Sequence, residues 1–277
     1  MKKLALIFLA TLLALSLCAC TGFGDTEDSI DDYAAKTDTH ILKSGTGTVT
    51  FKDGPKESAI ISGYTGISDP HTVALDDIIV IETKTTVQKL PVTGIGDYAF
   101  YQLTNVTEVI IPDTVTHIGK LAFAGCTSLT TITIPASVEY IDDCAFAGCT
   151  SLTTVIFEGT NVKYIDNYAF EGCENLVEIT LPEGLEKIGE GTFGGCKSLT
   201  SIKTPETLEE IGTLAFYGCE GLNADGALKL SASIEKIGDF AFAGIFKENV
   251  SIPEGLEIND DAFGSIAEDI ETETEAE

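Results

Sequence analysis

Apolar and polar positions recur along this chain with a period of about 23 residues. An isoleucine returns at Ile95, Ile118, Ile141, Ile165, Ile188, Ile211, Ile237 and Ile258, in steps of 23, 23, 24, 23, 23, 26 and 21. Five places after each stands a phenylalanine: Phe100, Phe123, Phe146, Phe170, Phe193, Phe216, Phe242 and Phe263. A fixed period in this range is the signature of a solenoid. Inside the unit from Ile118, Leu129, Ile132 and Ile134 alternate with Thr131 and Thr133. That alternation predicts a half-buried strand. Pro112, Pro135, Pro182, Pro205 and Pro253 close the equivalent strands, as expected of a residue with no N–H to give a sheet. The stretch IGKLAFAGC carries no alternation, and its glycines predict a turn with a short helical bend. The residues just before the repeat isoleucine form a second short extended piece on another side. One such unit cannot bury its apolar face alone, so like positions must stack into continuous ladders.

The pattern IGxxAFxxCxxLxxIxIPxxV resembles the leucine-rich repeats of the BspA-like bacterial surface proteins, over roughly residues 58 to 266. The resemblance implies a β-rich repeat solenoid, right-handed, with a parallel sheet on its concave face. It also implies a surface location and binding to other proteins. In proteins similar to these, a GYTG segment precedes the first full unit, and Gly63-Tyr64-Thr65-Gly66 stands there. Residues 41–94 are therefore expected to form an N-terminal β cap with an incomplete first repeat. Residues 95–266 are the repeats of about 23 residues, and 267–277 an acidic, solvated tail.

The chain opens MKKLALIFLATLLALSLCAC. Two lysines and the apolar run Leu4 to Leu17 predict a secretory leader over residues 1–19, too short for a stable membrane span. Leu17-Cys18-Ala19-Cys20 is similar to a bacterial lipobox, which implies cleavage before Cys20 and a diacylglycerol on its sulfur. Such lipid would be the only contact with a membrane; an ordinary leader without lipid is the alternative. Residues 20–40 are acidic and apolar-poor, a flexible tether.

Charge narrows the partners. The formal net charge is −28, and all 16 basic residues are lysines. A nucleic-acid surface is basic, so nucleic acid is excluded as a partner. Cys126, Cys149, Cys173, Cys196 and Cys219 share one repeat position, filled elsewhere by Leu103, Ile245 and Ile266. The position wants a small apolar plug, so these are expected to be buried thiols. Cys144 falls at a different position and is expected to be a partly covered surface plug. His40, His71 and His117 are scattered, no metal-ligand spacing or phosphate loop appears, and no cofactor is implied. The acid pairs Asp142-Asp143 and Asp260-Asp261 fall in the bend and read as turn caps. The chain is not expected to be an enzyme; a hydrolase is the remote alternative.

Two surfaces remain for binding. The concave sheet would present Glu108, Ile110, Thr131, Thr133, Thr154, Ile156, Glu178, Thr180, Ser201 and Lys203, a shallow face suited to a protein or a glycan. The column ahead of the repeat isoleucine holds His117, Tyr140 and Tyr164, then Lys187, Glu210 and Lys236. Ladder packing alone can also account for Thr and Tyr rows. The leading expectation is a lipid-anchored, extracytoplasmic interaction module for a host-matrix, receptor or other cell-surface protein. An envelope scaffold that binds a partner in its own envelope is the alternative.

Overall fold

The computed structural model describes residues 38–42, 47–54, 58–66, 71–75, 78–82, 87–224 and 228–264. The leader, Cys20, most of the tether and the acidic tail lie outside these residues. The chain winds as a β-solenoid with two sheets and short 3₁₀ segments at Glu220–Asn223, Lys247–Asn249 and Asp260–Phe263.

The broad sheet has eight strands in chain order: His71–Ala74, Val106–Ile110, Thr131–Ile134, Thr154–Phe157, Glu178–Thr180, Ser201–Lys203, Leu228–Lys229 and Val250–Ser251. All neighbours are parallel, with Ile132 beside Val109 and Val155, and Ile179 beside Val155 and Ile202. The second sheet carries a two-residue strand per turn, from His117–Ile118 through Tyr140–Ile141 and Tyr164–Ile165 to Lys236–Ile237. Ahead of these, Ser58–Gly66 and Val87–Ile95 continue the second sheet in parallel. Asp38–Ile41 and Gly47–Gly54 add antiparallel strands to its end.

The core is the stack of identical positions. The rings of Phe123, Phe146, Phe170, Phe193 and Phe216 are stacked nearly parallel, 5.0 to 5.6 Å apart with interplanar angles of 3° to 6°. At the N-terminal end Tyr64 stacks on Phe100 at 5.4 Å and shares a hydrogen bond of 2.7 Å with buried His71 Nε2. The tyrosine thus closes the phenylalanine column while its hydroxyl meets a polar partner. Gly66 is required there, because a Cβ would come within 2.0 Å of the Tyr64 hydroxyl oxygen.

The five ladder cysteines are thiols, all fully buried. Each Sγ donates to the phenylalanine carbonyl of the preceding turn, from Cys126 to Phe100 at 3.0 Å through Cys219 to Phe193 at 3.0 Å. Burial pushes the Cys126 and Cys173 thiols up to about 12.

The bend is a succession of i to i+3 hydrogen bonds, such as Ala122 N–H to Gly119, Ala124 to Leu121 and Cys126 to Phe123. Two positions in it have positive φ. One carries Gln102, Gly125, Gly148, Gly172, Gly195, Gly218 and Gly244, and glycine takes up this left-handed backbone without the strain a side chain brings. The other carries Tyr98, Leu121, Cys144, Tyr168, Leu214 and Phe240, with φ of 55° to 59°, and one glycine, Gly191. Non-glycine residues there incur strain of roughly 1–2 kcal/mol. The stacked array over-determines them: each of their N–H groups donates to a carbonyl of the following turn, as Leu121 does to Asp143 and Cys144 to Asn167.

Cys144 corrects the expectation of a surface plug. It is 1% exposed and sits with Leu121, Ala124 and Ala147 in a small apolar cluster of its own, outside the phenylalanine core, with Tyr101 and Tyr168 packed against it.

Candidate functional site

The residues expected on the concave face are brought together on the outer side of the broad sheet. Parallel pairing in register keeps every second side chain of each strand outside. One row runs Thr72, Glu108, Thr131, Thr154, Glu178, Ser201. A second row sets Thr133 beside Ile156, and Thr180 beside Lys203 and then Lys229. Thr131 and Thr133 are half-buried between their neighbours; Glu108, Ile110, Thr154, Ile156, Glu178, Thr180, Ser201 and Lys203 are exposed. Ile110 and Ile156 stand out at 51% and 46% exposure, apolar side chains the fold does not cover. Thr130 and Thr153 Oγ1 donate to the carbonyls of Thr107 and Thr130, so these threonines stitch the sheet's entry rather than face a partner.

A groove of about 530 Å³ opens on this face between Thr154–Phe157 and Glu178–Thr180. Its position follows from one irregular turn. Glu158 occupies the place of Pro135 and Pro182, so the chain keeps an N–H, which donates to Ile134 O at 3.0 Å. The strand Thr154–Phe157 ends level with Thr131–Ile134, and one extra residue is carried in the corner that follows. Gly159 lies on Ala136, where a Cβ would be 2.6 Å from its Cα, and Asn161 Nδ2 donates to Ala136 O at 2.7 Å. Glu158 and Thr160 are raised beside Glu178 and Glu183 as a result. The 24-residue step and the missing proline were the sequence signals for this groove.

The second expected surface is also assembled. His117, Tyr140, Tyr164, Lys187, Glu210 and Lys236 line one edge in register. Tyr140 and Tyr164 rings are 6.4 Å apart at 21°. Most polar members of this column are engaged with one another or with carboxylates beside it. His117 Nε2 lies 3.0 Å from Asp142 Oδ2, and that hydrogen bond raises the imidazole's pKa above its ordinary value against the opposing effect of burial. Tyr164 O–H donates to Glu186, which also pairs with Lys163 at 3.1 Å; Lys163 first and Tyr164 second hold the Glu186 carboxyl below its usual range. Glu210 bridges Lys236 at 2.7 Å and Lys187 at 3.3 Å.

Asp142 corrects a further expectation: it partners His117 rather than capping the bend. Asp97 is a cap, with its Oδ1 accepting from Lys120 N–H at 3.0 Å, and Asn167 Oδ1 accepts in the same way from Glu190 N–H at 2.8 Å. Among the described residues no three of His, Cys, Asp or Glu converge as a metal site. None of the helices among them is long and apolar enough to cross a membrane.

Comparison with known proteins agrees with this architecture. The profile of the BspA type leucine-rich repeat region matches residues 93–223 and 226–273, in six copies. A leucine-rich repeat protein of T. pallidum superposes with a TM-score of 0.61 at 27% identity, over 75% of this chain and 89% of that one. One from Bacteroides ovatus gives 0.60 at 28%, over 77% and 58%. A leucine rich cell surface protein from Faecalibacterium prausnitzii gives 0.61 at 28%, over 82% and 57%. The chain thus spans little more than half the length of the last two. No curated protein sequence matches.

Proposed function

The chain belongs to the BspA-type leucine-rich repeat family, and from that premise we propose that it is a non-catalytic protein-binding module of the bacterial cell surface, held by lipid on Cys20. The observation that carries this reading is the outer face of the broad sheet. It presents ordered rows of Thr, Glu and Lys with Ile110 and Ile156 exposed among them, over eight strands. A shallow face of mixed polarity with isolated apolar side chains suits a macromolecular partner better than a small molecule. The similarity to a protein described as a cell surface protein supports the location. In this reading residues 41–94 cap the array and 20–40 tether it.

Capture from host-matrix and cell-envelope extracts tests the proposal. A partner retained by the wild-type chain and lost by the T131K/T154K/T180K variant supports it. Capture that is equal in both variants moves the contact off this sheet. A partner drawn only from the bacterium's own envelope would instead favour the scaffold role. The anchor is tested separately: Cys20→Ala should abolish incorporation of labelled palmitate, and incorporation that survives would refute it.

A further inference from the structure

The groove at the irregular turn brings charge, shape and apolar surface together on the broad sheet. Its outer lining is Thr154, Ile156, Glu158, Thr160, Glu178 and Glu183. We propose that this groove recognises a cationic segment of the partner protein, seating a lysine or arginine between the carboxylates with a neighbouring aliphatic side chain on Ile156. The proposal rests on the interaction reading above and specifies the chemistry of what is bound.

Three carboxylates edge the groove. Among the described residues Glu158 and Glu178 make no ion pair, and Glu183 has only Lys203 Nζ at 3.8 Å, with both of these side chains largely exposed. An incoming cation therefore gains attraction without displacing a buried partner. The field of the whole chain, at −28, steers the same class of ligand. Anionic ligands are repelled. A glycan is disfavoured because the groove offers no exposed aromatic face: among the described residues Tyr98, Tyr140, Tyr164 and Phe246 are the large exposed aromatics, and none lines it. Phe157 is half-buried against the core. Ile156, at 46% exposure, remains as an aliphatic contact beside the threonine hydroxyls, which accept from a lysine or guanidinium donor. The three glutamates are thus read as specificity-determining contacts.

The test is fluorescence anisotropy of the purified protein with a labelled peptide of alternating lysine and leucine. Its counterpart with glutamate for lysine serves as control. The E158Q/E178Q/E183Q variant should weaken binding of the lysine peptide about tenfold, the size expected of two or three exposed ion pairs lost together. The E209Q/E235Q/E254Q variant changes net charge equally at exposed positions away from the groove, and should stay within about twofold of wild type. I156S should weaken binding without altering its salt dependence. No binding of the lysine peptide, equal weakening in both triple variants, or equal binding of the glutamate peptide would each overturn the proposal. The extract experiment separates the two readings. A partner lost by T131K/T154K/T180K but kept by E158Q/E178Q/E183Q leaves the interaction face standing and sinks the cationic-segment inference. Site-specific peptide binding with no captured partner does the reverse.

Discussion

Replacing Phe146 isolates what the phenylalanine ladder contributes. The side chain is fully buried and stacks on two neighbours, Phe123 at 5.0 Å and Phe170 at 5.1 Å, both at 3°. Phe146→Leu keeps most of the apolar volume but removes both ring contacts. At roughly 0.5–1.5 kcal/mol per aromatic pair, it should cost about 1–3 kcal/mol. Phe146→Ala also leaves a cavity, because the rungs above and below are held by the sheets and cannot close on it. A cost of about 3–5 kcal/mol follows. Phe263→Ala at the end of the column supplies the internal control. It has one ring neighbour, Phe242 at 5.1 Å and 32°, and is only partly buried, so it should cost no more than about half as much. Urea unfolding followed by circular dichroism measures all three. If Phe146→Leu were within about 0.5 kcal/mol of wild type, or Phe263→Ala as damaging as Phe146→Ala, the ladder would not be the stabilising unit argued here.

Three further outcomes follow from the bend and the thiols. Gly148→Ala meets no clash, its nearest atoms lying in ordinary contact 3.9 Å from the added Cβ, so its cost should be that of the left-handed backbone alone, about 1–2 kcal/mol by urea midpoint; a neutral result would contradict the φ of 69°. Burial raises the Glu171 carboxyl from 4.5 to about 7. A raised folded-state value means that the unfolded chain ionises first, so stability is intact below pH 4.5 and falls, by on the order of 3 kcal/mol, as pH rises to about 7. Glu171→Gln should recover that loss at neutral pH and do nothing at pH 4; equal effects at both would refute the assignment. Mass-spectrometric alkylation should leave Cys126, Cys149, Cys173, Cys196 and Cys219 unlabelled in the native protein and label all five after denaturation. Labelling faster than global unfolding would contradict their burial.

The parts of this fold legible in the sequence are those that repeat. Phe123 or Leu129 announces its role because the same residue returns at the same offset in register, and ladder packing leaves little choice of inward face. What repetition does not encode by residue type stayed hidden. Leu121, Cys144 and Tyr168 share a left-handed backbone, yet have no common chemistry that marks it; only Gly191 hints at the conformation. Cys144 is buried at this position whereas Tyr98 on the same backbone is 39% exposed, so neither the position nor the backbone announces its burial. Tyr64 reads as part of a GYTG motif, but its place at the end of the phenylalanine stack depends on a long-range contact with Phe100. The rows of the broad sheet follow from alternation, whereas the groove depends on Glu158 standing where neighbouring turns have proline. Beside the missing proline, the signal was one step of 24 residues flanked on both sides by steps of 23. It reads as noise until the structure shows that the extra residue raises two side chains beside Glu178 and Glu183.

Site-specific photo-crosslinking of a captured partner tests the central claim most directly. With p-benzoylphenylalanine placed in turn at Thr133 and Ile156 on the broad sheet, and at Tyr164 and Phe246 away from it, the account predicts adducts from the first two positions and none from the others. Adducts from Tyr164 or Phe246 alone would contradict it and move the binding surface to another side of the solenoid.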